Sequence, residues 1–230
     1  MDQLRKEFSY FYPVDSRHSG RDLVPNHLSF FIFNHSAIFE RHLWPGQIVV
    51  NGSVLMEGKK MSKSLGNIIP LRAAIAEHGA DTIRLAMLVS AEILQDADFS
   101  FDTVRGIKSK LSNIFFMADR LKNVKVAPME QVEDRWLASR LARTATLTAE
   151  SMQRLRVREA IHRILYSLEQ DLQWYERRIY AKSRQNSDAA MSALARYLQA
   201  QVVMLTAHQK GACVIAVYAR DVAETKAKEA

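Results

Sequence analysis

The chain has 230 residues, 48% of them hydrophobic and 25% charged, the balance of a soluble globular protein large enough for one large domain or two small ones. No apolar run approaches the ~20 residues of a membrane-spanning helix, Met1–Glu7 carries no apolar core of a secretory signal, and the lone Cys213 excludes both a disulfide framework and a cysteine zinc cage within the chain. A reducing cytoplasm is the expected location. The net charge of +7 is unevenly spread: residues 1–100 hold ten basic and eleven acidic side chains, and the remainder twenty-two and fourteen. A near-neutral first part followed by a basic second part suits a protein whose second part follows a phosphate backbone, although a well-solvated helical surface carries the same signature.

Taken in order, Tyr12 to Pro25 is polar and glycine-containing and reads as a loop. Leu28 to Phe39, with phenylalanines at 30, 31, 33 and 39, reads as a buried helix that Trp44-Pro45-Gly46 ends. Gln47 to Asn51 is short and β-branched, as in a buried strand, and Ser53 to Glu57 between Gly52 and Gly58 reads as a strand entering a tight turn. Gly66-Asn67 and Pro70 then keep the lysine-serine run that follows out of a continuous helix. From Pro70 on the pattern is helical. Pro70 opens a helix over Leu71 to His78 and Gly79 closes it. Asp81 is expected to cap the next helix and Asp102 a third, whose apolar residues Val104, Ile107, Leu111, Ile114, Ala118 and Leu121 step by three and four. Lys122 to Gln131 reads as a connection. Further helices start near Asp134, run through Ile161 to Tyr175, and span Ala190 to Leu205. The fold class expected is mainly α with a small α/β part, the helices forming an antiparallel bundle, and Gly211 to Ala230 a loosely held tail.

The stretch that carries chemistry is Gly58-Lys59-Lys60-Met61-Ser62-Lys63-Ser64-Leu65-Gly66-Asn67. Two lysines three apart on a glycine-flanked loop can converge on one polyphosphate, with Ser62 and Ser64 adding short donors. The glycines do not fit a Walker A loop.

Lys60 to Ser64 reads KMSKS, the motif of class I aminoacyl-tRNA synthetases, and the flanks resemble that family too: strand Ile48 to Val50, Asn51-Gly52-Ser53-Val54, the motif, then Leu65-Gly66-Asn67. Gly79-Ala80-Asp81-Thr82-Ile83-Arg84 is similar to the family's Gly-Ala-Asp-x-x-Arg segment, and Ser19-Gly20-Arg21-Asp22 through His27 to its Gly-x-Asp…His segment beside the adenosine pocket. The resemblance implies that residues 1–69 are the second half of a class I Rossmann-type nucleotide-binding fold ending in the lysine loop. It implies a stem-contact-like connection at 70–101, a helical tRNA (anticodon)-binding domain at 102–210, and an atypical tail at 211–230. It assigns Lys60 and Lys63 as the catalytic cations, Lys63 foremost, and Gly20, Asp22, His27, Val54, Met61, Ser62 and Ser64, with Lys63, to ATP. ATP is the implied cofactor, Mg²⁺ accompanies the nucleotide, and no carboxylate cluster identifies a dedicated metal site.

Within the class, Tyr12 to Leu28, Asn51 to Met61, Ser90 to Phe99 and Trp136 to Leu141 most resemble leucyl-tRNA synthetases of the archaeal and eukaryotic cytosolic kind, which implies leucine, ATP and tRNA(Leu) as partners and no membrane. The isoleucyl, valyl and methionyl enzymes share the loop and are the alternatives, as is a tRNA-binding module without ATP chemistry. Two departures stand out. No HIGH-type motif occurs in the chain, and from Thr206 to Gly211 the sequence leaves the family pattern. The resemblance places the amino-acid pocket, the editing domain and the tRNA-elbow domain elsewhere, so a fragment or truncated product is expected, inactive alone and needing the remaining part of the synthetase. For tRNA, Arg135, Arg140, Arg143, Arg154, Arg156, Arg158 and Arg163 form the candidate patch, with Trp174, Tyr175, Arg177 and Arg178 interleaving aromatic groups and cations. Trp136 and Trp174 equally suit a helical core.

Overall fold

Parallel strands need a crossover between them, and the first part of the chain supplies one. The computed structural model describes residues 2–129 and 131–207. After helix α1 (Asp2–Phe11) comes strand β1 (Arg17–Gly20), a tight turn of 3₁₀ and then π type over 21–28, helix α2 (Ser29–Ile38) and strand β2 (Ile48–Asn51). β1 and β2 pair in parallel from Arg17↔Ile48 to Gly20↔Asn51, so this is a β-helix-β unit. A second small sheet has strand order β4-β3-β5: β3 (Val54–Met56) lies antiparallel to β4 (Lys59–Lys60) and parallel to β5 (Ala97–Phe99). Helices α3 (Leu71–His78) and α4 (Ala80–Ser90) lie between β4 and β5 in sequence.

The rest is helical: α5 (Phe101–Leu121), α6 (Val132–Gln153), α7 (Val157–His162) continuing through a π-type turn into α8 (Leu168–Ala181), and α9 (Asp188–Ala207). The mainly α architecture with a small α/β part is as the pattern predicts. The stripe on α5 turns Val104, Ile107, Leu111, Ile114 and Leu121 inward, where they meet Leu137, Ile161, Ile164, Leu168, Leu194 and Leu205 in one continuous core. Met56 and Phe99 of the second sheet belong to that same core, which seats the lysine loop's sheet on the helical part.

Five expectations need correction. From Pro70 on the chain is not helical throughout, because Ala97–Phe99 forms strand β5 where β3 offers a parallel partner. Tyr12 to Pro25 contains strand β1, because Gln47 to Asn51 offers its backbone as a parallel partner that no local pattern reveals. Helix α2 forms, but it is not buried: Phe30, Ile32, Phe33 and Ile38 are each at least half exposed, and only Leu28 before it and His35 within it are enclosed. Asp81 and Asp102 are not caps. Both helices are capped two residues earlier, at Gly79 and Ser100, which leaves both aspartates in the first turn, paired with Arg84 and Arg105. The expected tail at 211–230 lies outside the described residues.

Asp134 has a larger role than starting a helix. It is fully buried at the third position of α6, where it closes a capping box with Gln131. It also accepts hydrogen bonds from the Tyr175 hydroxyl of α8 at 2.8 Å and from Arg184 at 3.1 Å. Burial by itself would raise its pKa, but the bonds from Tyr175, the Gln131 amide and Arg184 outweigh burial and hold the carboxyl below its ordinary value. Burial and the neighbouring Asp134 push the Tyr175 hydroxyl well up. A carboxyl depressed in the folded state stabilises fully above its unfolded pKa of about 4 and loses that contribution as pH falls through the folded value. Asp134→Ala should therefore cost roughly 3 kcal/mol at pH 7, since it leaves Arg184 and Tyr175 without their partner. Thermal melts of the two proteins across pH should converge as pH drops below about 4.

Candidate ATP-loop site and its family

β3 ends at a tight turn in which Glu57 and Gly58 both adopt positive φ (49° and 74°), a conformation natural to Gly58. The chain returns as β4, with Leu55 opposite Lys60 and Met56 opposite Lys59. Beyond it the loop is closed by its own polar groups. Asn67 reaches across the base, accepting from the Ser62 amide at 2.9 Å and donating to the Lys60 carbonyl at 3.1 Å. Ser62 Oγ accepts from the Leu65 amide and lies 3.2 Å from Ser64 Oγ, while Gly66 at φ 63° closes a turn on the Lys63 carbonyl. Met61 packs against the core. Lys60 and Lys63 are exposed, and among the described residues neither has an ion pair. Asn67, by local sequence only a helix breaker, is the clamp of this loop.

The second candidate cluster lies at the C-terminal end of β1. Gly20 ends the strand, and a Cβ there would lie 2.5 Å from the Asp22 carboxylate, so Gly20 leaves room for that side chain. His27 in the π-type turn lies with Nε2 3.1 Å from Arg17 Nη2. Arg21 pairs with Asp96 at 3.0 Å. Gly52 is required by close approach, because a Cβ there would collide with the Gln95 carbonyl. The Gly52 amide donates to the carbonyl of Ile93, which bends into positive φ (43°), and the Ser53 amide donates to Asp96 at 2.7 Å. Val54, partly exposed, follows at the start of β3. Both clusters thus converge on the strand that leads into the lysine loop. Asp96 does not stand out in the sequence, since nothing local links it to residues more than forty positions earlier. No group of three or more His, Cys, Asp or Glu that could hold a metal occurs among the described residues.

The seven candidate arginines divide. Arg140 bonds Asp171 at 3.0 Å and lies over the Trp136 ring. Arg158 donates to the Val89 carbonyl at 3.0 Å, tying α7 to α4, and Arg156 and Arg163 both pair with Glu159. Arg135, Arg143 and Arg154 are exposed. Trp136 and Trp174 are half-buried and face each other at 4.0 Å, with Arg178 over the latter, so they close the edge of the core and present one outer face.

Residues 1–100 match the family model of class I tRNA synthetases (I, L, M and V), and residues 134–207 that of the anticodon-binding domain of tRNA ligase. The chain belongs to the class I aminoacyl-tRNA synthetases of this group. Within it, the chain is similar to leucine–tRNA ligases. The chain is 42% identical over 190 residues to that of Pyrobaculum calidifontis, covering 83% of this chain and 20% of the relative. It is 44% identical over 175 residues to leucine–tRNA ligase 1 of Metallosphaera sedula, covering 76% and 19%. It therefore spans about a fifth of the length of these relatives. Among solved structures, LeuRS of Agrobacterium radiobacter K84 in a ternary complex with tRNA and LeuAMS superposes with a TM-score of 0.65 at 22% identity, over 84% of this chain and 26% of that one. Methionyl-tRNA synthetase of Mycobacterium tuberculosis with methionyl-adenylate gives 0.69 at 18%, over 85% and 42%. Both show the same fold. Residues 195–230 match a different model, the ATP-dependent Clp protease adaptor protein ClpS. That match covers the stretch from Thr206 where the sequence departs from the synthetase pattern.

Gly52→Ala should displace the backbone at Gln95 and lower stability by about 2 kcal/mol, as overpacking does. Gly106→Ala, on a helix with open space around it, should leave stability unchanged or slightly raise it. Urea titrations of the two variants check this.

Proposed function

We propose that this chain supplies the ATP loop and the tRNA-binding helices of a leucine–tRNA ligase, which activates leucine to leucyl-adenylate and transfers it to tRNA(Leu). One observation carries the reading: a KMSKS loop, clamped by Asn67 with Lys60 and Lys63 exposed, in a chain about 42% identical to leucine–tRNA ligases. When the leucine carboxylate attacks the α-phosphate, negative charge grows on phosphorus and on departing pyrophosphate. Cations held by a loop meet that charge more strongly in the transition state than in bound ATP. Lys63 is the main contact, Lys60 the second, with Ser62 and Ser64 donating to phosphate oxygens and the Met61 backbone following the nucleotide. Gly20, Asp22, His27 and Val54 receive the adenosine, with Asp22 accepting from ribose hydroxyls. Mg²⁺ arrives on the phosphates, since no described cluster is built for it.

The HIGH motif is missing from these 230 residues, and the exposed phenylalanines of α2 are the surface on which a further layer of the nucleotide fold packs. That layer brings the leucine pocket. By itself, the chain should therefore give leucine-dependent ATP–pyrophosphate exchange at background, and robust exchange would overturn this division of labour. In the complete synthetase, Lys63→Ala should lower the exchange rate by roughly 10²-fold with little change in leucine affinity. An unchanged rate would remove Lys63 from the mechanism.

For tRNA, Arg143 and Arg154 are exposed candidates to meet a phosphate backbone. Arg140, Arg156, Arg158 and Arg163 are already engaged within the fold. Filter binding from ~50 to ~200 mM salt should show a steep fall in affinity, and reversing Arg143 and Arg154 to glutamate should reduce the logarithmic slope by about 2. Equal slopes would mean that these side chains face only solvent.

A further inference from the structure

The ends of β3 are not held by its own ladder alone. Asp96 and Asp98 stand two apart around β5, so their side chains leave the strand on one face while Phe99 turns into the core. Asp96 accepts from the Ser53 amide, immediately before β3, at 2.7 Å. Asp98 accepts from the Gly58 amide, two residues past it, at 2.8 Å. The two carboxylates therefore bracket a strand of three residues, and Lys60, Leu55 and Asp98 lie on one rung of the sheet. The turn is tied in both directions: the Glu57 amide donates to the Phe99 carbonyl at 3.2 Å, and Glu57 Oε1 accepts from the Phe101 amide at the start of α5 at 2.9 Å. Asp96 also holds Arg21, which lies between Gly20 and Asp22. At its other end the same strap reaches the helical part, where Glu92 accepts from the Glu159 amide at 3.1 Å.

We infer that Asp96 and Asp98 are positioning residues for the adenylation step: they set where the lysine loop stands relative to the segment Gly20 to Asp22. Neither touches the nucleotide. Asp96 joins the two segments that receive adenosine, and Asp98 fixes the turn from which Lys60 and Lys63 project. This rests on the ATP reading of the loop, and goes beyond it by assigning the strap at 92–98 to the control of loop position.

The test has two arms. In hydrogen exchange on the 230-residue chain, Asp96→Ala should speed exchange at Ser53, and Asp98→Ala at Gly58 and on through 59–67, each by about tenfold, the loss of one charge-assisted bond. Amides of α5 and α8 should stay at wild-type rates, and Asp98→Asn, which keeps an acceptor, should restore most of the protection. In the complete synthetase, Asp98→Ala should lower kcat for leucine-dependent pyrophosphate exchange with the KM for leucine unchanged, and Asp98→Asn should recover most of it. Wild-type exchange at 53 and 58–67 in the alanine variants would overturn the proposal, as would equal acceleration throughout the helices or an unchanged kcat in Asp98→Ala. A failure of the ATP reading shows separately, as a Lys63→Ala enzyme with unchanged turnover.

Discussion

A strand of three residues can form few backbone bonds, so β3 depends on what lies at both its edges. β5 supplies one edge in parallel and β4 the other in antiparallel, and the amides just outside the strand are taken up by the Ile93 and Phe99 carbonyls and the Asp96 and Asp98 side chains. Everything downstream in the site follows from that arrangement. The lysine loop starts on a strand only two residues long and satisfies its remaining polar groups within itself, through Asn67 and Ser62. Its fixed frame is therefore β3, and β3 is fixed by β5. A loop so built belongs to the low-stability end of the fold, while the strand behind it stays with the core through Met56 and Phe99.

The helical part is organised by a different constraint, a buried carboxylate. Asp134 draws the start of α6, the middle of α8 and the turn after α8 into one hydrogen-bonded point. Around it the apolar stripes of α5, α7, α8 and α9 close a continuous core. The charge surplus of this half is thus only partly available to a ligand. Arg140, Arg156, Arg158 and Arg163 spend their charge on Asp171, Glu159 and the end of α4, and Arg158 with Glu92 stitches the helical part to the segment that frames the loop. A count of basic residues overstates such a surface, because a guanidinium with five donors is as useful for joining helices as for binding phosphate.

The lysine-serine loop, its glycine turn, the strands within Gln47 to Asn51 and Ser53 to Glu57, and the helices after Pro70, though not the strand Ala97–Phe99 set among them, were legible in the sequence. Each rests on local chemistry: β-branched runs, positive-φ glycines, proline at a helix start and apolar steps of three and four. The family was legible for a related reason, since the five residues Lys60 to Ser64 and their flanks are contiguous. What local chemistry does not contain is partnership across the chain. β1 exists because β2 accepts it, α2 is exposed because the described residues leave Phe30, Ile32, Phe33 and Ile38 at least half uncovered, and Ser100 rather than Asp102 precedes α5 because Glu57 already receives the first amide of that helix. Asp96, Asp98 and Asn67 acquire their roles in the same way. Their partners lie from five to seventy-five positions away, and only the packed chain decides which backbone amide each carboxylate or amide group will meet.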